Sequence, residues 1–145
     1  MPYIITNRGL EWIIDDLRTD VQGGTEAHIY LRLFTAGTPS VNTVWGDLTE
    51  ANFSGYNGLL LSPSNSYYRV GNIIYQNFHP CNWQHNGSGV ANTVLGYMIT
   101  MNARDSNDNS GTRLLAAENV GPFPMSNLTH KISINIRMAI RSLNV

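Results

Sequence analysis

From Ile132 to Arg141 the side chains alternate without a break. Ile132, Ile134, Ile136, Met138 and Ile140 stand against Ser133, Asn135, Arg137, Ala139 and Arg141. Successive side chains of an extended strand point to opposite faces, so a period of two sorts the apolar set from the rest. A helix would spread both sets around its circumference. The run predicts a strand with one face on a core and one face outward, as in an antiparallel sheet covered on one side.

The same period recurs upstream. In Ala27 to Phe34, Ile29, Leu31 and Leu33 alternate with His28, Tyr30 and Arg32. Thr93 to Met101 is apolar on both faces in its middle, as a central strand would be, and Gly96 within it marks a bulge or a close approach. Leu114 to Glu118 pairs naturally with that strand across a polar loop at 104–111. Tyr56 to Leu61, Ser66 to Val70 and Ile73 to Phe78 are shorter strand candidates between Gly- and Pro-marked turns. Pro80 to Gly89 has the composition of a polar loop carrying Trp83 and His85. Residues 7–19 follow a different period. Leu10, Ile13, Ile14 and Leu17 form a helical stripe behind Asn7 as N-cap. The 145 residues suit one domain. The expected architecture is mainly β: a single-domain antiparallel β-sandwich, jelly-roll-like, over 1–145. It has one short N-terminal helix at 7–19 and its strands lie within 27–141.

Composition narrows the function. Charged residues make up 13%, against about 25% in typical domains, and Asn, Ser, Thr and Gly replace them. The net charge of −1 offers no electrostatic case for nucleic acid. Eight of the nine basic residues are Arg, and Lys131 is the lone lysine. Arg favours fixed, stacked or bidentate contacts at interfaces. Cys81 is the single cysteine, so no internal disulfide forms, and a buried or idle thiol is expected. The opening Met-Pro-Tyr-Ile-Ile-Thr-Asn-Arg does not have the pattern of a signal peptide, and no apolar run reaches membrane-spanning length. The expected origin is a cytoplasm.

No stretch assembles a catalytic constellation. Asp105, Asn107 and Asn109 match the first ligands of a calcium loop, but Gly111 falls one place late and Ala116 stands where the bidentate Glu belongs. His79, Cys81 and His85 have a zinc-like look without a fourth ligand, and a cysteine nucleophile there lacks a helix N-terminus. No cofactor and no metal is expected. Trp45, Tyr67, Tyr68, Tyr75, Phe78 and Trp83 could form a platform for sugar, or serve as core and interface residues.

The stretch Asp47-Leu48-Thr49-Glu50-Ala51-Asn52-Phe53-Ser54-Gly55-Tyr56 is a compact corner between two strands. Asp47 has the position of an N-cap and Glu50 of its capping-box partner, opening one helical turn. Phe53 is expected as a buried anchor, Gly55 as the turn and Tyr56 as packing. Together with Asn7-Arg8-Gly9-Leu10, Leu33-Phe34-Thr35, Leu95-Gly96-Tyr97 and Leu115-Ala116-Ala117-Glu118, this corner resembles a group of small tailed-bacteriophage virion structural proteins. The Ser62 to Gly89 segment departs from that pattern. The resemblance implies a non-enzymatic virion component with a β-sandwich fold, assembled in the host bacterial cytoplasm. A capsid cement or decoration protein fits first and a tail or fibre-associated protein second. A carbohydrate-binding module is the alternative outside the virion. The implied partners are a major capsid protein and further copies of the chain, a trimer favoured, with no nucleic acid and no membrane. Trp12, Trp45, Tyr67, Tyr68, Trp83, Arg137 and Arg141 are the expected interface residues.

Overall fold

The computed structural model describes residues 4–5, 29–62, 64, 68–71, 73–101 and 112–141. The expected helix at 7–19 with Trp12, the residues Ala27, His28 and Tyr67, and the polar loop at 104–111 lie outside them. Eleven strands run along the described chain: β1 (Ile4–Ile5), β2 (Ile29–Ala36), β3 (Thr49–Glu50), β4 (Leu59–Leu60), β5 (Tyr68–Val70), β6 (Ile73–Asn77), β7 (Cys81–Gln84), β8 (Asn92–Met101), β9 (Arg113–Met125), β10 (Lys131–Ile134) and β11 (Arg137–Arg141). The protein is mainly β, and every strand pair is antiparallel.

The largest sheet has the order β1-β9-β8-β2-β3, with β4 also paired to β2. Its centre is β8, whose residues Met98 to Met101 are all buried. That explains its unalternating sequence: a strand covered on both faces has no polar side to show. On one face Leu31, Leu33, Tyr97, Ile99 and Leu115 pack with Cys81, Trp83, Ile132 and Ile136, and with Ala51 and Phe53. On the other, Phe34, Met98, Leu114 and Ala117 gather around Leu48, with Trp45 half-buried beside them. Gly96 performs both expected duties. The β8–β9 register shifts beside it, and a Cβ there would collide with the Glu118 carbonyl and the Phe34 ring.

The C-terminal run corrects one expectation. It is not a single strand but two, β10 on β7 and β11 on β6. The alternation itself holds: Ile132 and Ile136 are buried, while Ser133, Asn135, Arg137 and Ala139 are exposed. The break comes from the opposing chain. Three residues, Phe78 to Pro80, stand against Asn135 and Ile136, so the register slips by one. Such an extra residue is a β-bulge. Phe78 N–H still reaches the Ile136 carbonyl (3.1 Å), and His79 N–H turns away to Ser62 (2.9 Å). Pro80, with no N–H to offer, suits the bulge.

Two other boundaries differ. Four of the ten residues of the expected 80–89 loop form strand β7, in which Cys81 and Trp83 are buried and Asn82 and Gln84 exposed. Of 56–61 only Leu59–Leu60 pairs, because the preceding residues belong to the corner.

Candidate functional site

The corner is built around an interruption in the edge of β2. β3 pairs with β2 at Phe34 and Ala36, and β4 pairs at Tyr30 and Leu31. Between them the chain leaves the sheet, and the backbone of Leu33 must find other partners. Its carbonyl accepts from Ala51 N–H (2.9 Å). Its N–H donates to the Tyr56 hydroxyl (3.1 Å). Tyr56 thus stands in for the missing strand carbonyl. The same hydroxyl donates to Glu50 Oε1 (2.8 Å).

This arrangement corrects the expected capping box. The turn is a 3-10 turn over Trp45–Asp47, and Asp47 closes it rather than opening one. Its carboxylate accepts from Val44 N–H (2.9 Å). Glu50 does not reach back to Asp47, because it lies in β3 and points to Arg32. Arg32 Nη1 donates to Glu50 Oε1 (2.9 Å) and Nε donates to Thr100 Oγ1 (3.0 Å). Its guanidinium also lies over Tyr30 and Trp45, 5.2 and 5.6 Å from the ring centroids. The signal for this network was the arginine between Leu31 and Leu33 in β2.

Phe53 and Gly55 hold the rest of the corner. Phe53 is 2% exposed. Its ring meets Tyr56 edge-on at 5.3 Å and stacks near His85 at 6.2 Å. Gly55 has φ +97°, and a Cβ there would lie 2.8 Å from the Gln84 carbonyl. Glycine is therefore required on both conformational and steric grounds. His85 accepts from Gly87 N–H at Nδ1 (2.9 Å), so its Nε2 carries the proton and donates to Val90 O (2.9 Å). Both ring nitrogens are used within the fold.

Burial pushes the Tyr56 hydroxyl far above its ordinary range, and the Glu50 carboxylate adds to the effect. The sign of the pH effect follows. The unfolded chain loses this proton near the ordinary tyrosine value of about 10, while the folded chain keeps it. The associated stability is present below that pH and declines above it, at about 1.4 kcal/mol per pH unit. Urea unfolding between pH 9 and 11.5 is expected to display this decline, and Tyr56→Phe to reduce its slope by that amount.

Two other titratable candidates are closed off, whereas His79 is exposed. Tyr97 donates to Glu118, its cross-strand partner. Cys81 is buried, which raises its thiol pKa. Among the described residues no group of three His, Cys, Asp or Glu could hold a metal ion. Cys81 is expected to react with iodoacetamide only on unfolding. Cys81→Ser, which puts a hydroxyl in the core, is expected to cost about 1–3 kcal/mol.

The expected interface residues separate into two kinds. Trp83 is corrected: it is 3% exposed and its indole N–H donates to the Asn57 carbonyl (2.8 Å). It belongs to the core because β7 alternates Cys81 and Trp83 inward. Trp45 is half-buried over Leu48 and Phe34. Tyr68 lies at the surface, 40% exposed, and its ring stacks on Tyr75 at 5.2 Å with 18° between planes. The Arg137 guanidinium lies 5.2 Å from the Tyr75 centroid. Val70, also exposed, shares this face. Arg141 pairs with Ile73 in the backbone ladder, and its side chain is outside the described set. Among the described residues, Trp45, Tyr68, Tyr75 and Trp83 therefore do not assemble into one platform. Comparison of the chain with known protein families, curated proteins and solved structures returns no match.

Proposed function

We propose that this chain is a non-enzymatic structural protein of a tailed-phage particle: a capsid cement or decoration protein that self-associates, as a trimer, and bridges neighbouring major capsid proteins. In this reading the two apolar layers form a β-sandwich with jelly-roll-like connections. The observation that carries the proposal is the outward face of the β5–β6–β11 sheet. Tyr68, Val70, Tyr75 and Ala139 lie on it, and Arg137 is stacked on Tyr75 without a carboxylate partner among the described residues. Exposed aromatic surface with a pre-oriented arginine is the composition of an interface centre. The corner supports the same reading, since the polar side-chain groups of Asp47, Glu50 and Tyr56 are engaged in holding the fold.

Mass spectrometry of purified particles, with heads and tails separated, tests it. The protein is expected on heads in a fixed ratio to the major shell protein. Arg137→Glu combined with Tyr68→Ser is expected to weaken binding to undecorated shells by about thirtyfold, the loss of two modest hot-spot contacts. Its melting temperature should stay close to that of the parent. Recovery on tails would point to a tail protein. A strict monomer that binds no shell would overturn the proposal.

A further inference from the structure

Among the described residues β10 pairs with β7 alone. In an antiparallel ladder, residues alternate between hydrogen-bonded and non-hydrogen-bonded pairs. His85 N–H bonds to the His130 carbonyl and Phe78 N–H to that of Ile136. With the register of Ile132 on Trp83 and Ile134 on Cys81, the even-numbered residues turn their backbone groups toward β7. Lys131, Ser133 and Asn135 turn theirs the other way. No strand covers that edge among the described residues.

A groove of about 490 Å³ adjoins this edge and includes residues 131–135 in its wall. Its apolar lining comes from Val94, Tyr97, Val120, Phe123 and Ile132. Val120 and Phe123 are each 40% exposed. An uncovered row of N–H and C=O groups beside an apolar groove is complementary to one kind of partner, an extended backbone. Its main chain pairs with the edge, and every second side chain enters the groove. A compact apolar ligand would fill the groove and leave the edge unused.

We infer that the β10 edge captures an extended segment of a partner protein by strand addition. The segment alternates apolar residues, which join Ile132 on the groove side, with polar or acidic residues beside Lys131 and Ser133 on the outer side. Lys131 has no carboxylate partner among the described residues, and opposite charges across neighbouring strands attract. The identity of the partner rests on the particle-assembly reading; the edge chemistry does not.

Amide hydrogen exchange of the full chain provides the test. The probe is an octapeptide that alternates valine with glutamate and threonine. Exchange is expected to slow by about tenfold or more at Lys131, Ser133 and Asn135. Ile132 and Ile134, already bonded to β7, should not change. The same peptide N-methylated at its edge-facing residues should have no effect. Ser133→Pro, which removes one edge donor, should abolish protection. Should that variant not fold, Val120→Glu blocks the groove from the opposite side and should do the same. Three results would overturn the inference. They are no protection with any peptide, protection that rises with protein concentration alone and so reports a second copy, and perturbation of Val94 and Phe123 with the edge amides still fast. Absence of the protein from virions would leave edge capture standing. Presence in virions with no peptide effect would remove this inference alone.

Discussion

Phe53→Ala is expected to lower the unfolding free energy by about 3–5 kcal/mol, the range for removing a fully buried ring. The ring is 2% exposed, and its neighbours come from separated parts of the chain. Tyr56 meets it edge-on, and His85 lies against it from the turn after β7. The cavity left by alanine would loosen Tyr56, whose hydroxyl is the partner of the Leu33 N–H. An unsatisfied donor within the sheet then adds to the lost packing. Urea denaturation should show a lower midpoint with an unchanged slope, since the folded surface stays the same. Phe53→Leu, which keeps most of the apolar volume, should lose only about 1–1.5 kcal/mol. A loss below about 1 kcal/mol for the alanine variant would mean that the corner is not anchored by this ring.

How much of this was legible depends on what kind of force acts at each position. Burial was readable wherever it repeats. The alternation in Ile132 to Ala139 predicted which residues face the core, and the two-sided Thr93 to Met101 predicted the central strand. Phe53 and Gly55 could be assigned as anchor and turn because a lone aromatic beside a glycine has few other uses. Partnership across the sheet was not readable. Asp47 and Glu50 have capping-box spacing, and the pattern does not reveal that Arg32, 18 residues upstream, competes for Glu50 and wins. A buried guanidinium offers a stronger partner than a solvated turn N–H. β7 was obscured because its outward residues are Asn and Gln in a stretch already rich in polar residues, and local composition outweighed a four-residue period. The β10–β11 break was invisible for another reason. The bulge lies on the opposing strand, so no irregularity marks the run that it interrupts.

Arg32→Met is expected to cost about 3 kcal/mol, and it separates charge from packing. Methionine keeps the apolar stem that passes Gly58, where a Cβ would already lie 3.2 Å from the arginine side chain. What it removes is the cation. Breaking one half of a buried pair leaves the other charge uncompensated, at about 3–5 kcal/mol. The side chains of Arg32 and Glu50 are 11% and 22% exposed, so water reaches the carboxylate and the lower end applies. Thr100 also loses its donor. The discriminating measurement is the double variant Arg32→Met with Glu50→Gln. A neutral amide still offers an oxygen to the Tyr56 hydroxyl and no longer needs a counter-charge. If the penalty is electrostatic, the double variant should be more stable than Arg32→Met alone by about 1–2 kcal/mol, a coupling of the size seen between groups in one network. If instead the guanidinium serves mainly as a plate between Tyr30 and Trp45, the second substitution should recover nothing. Arg32→Lys would then be nearly as damaging as methionine, because a lysine keeps the charge but not the flat, stacking group.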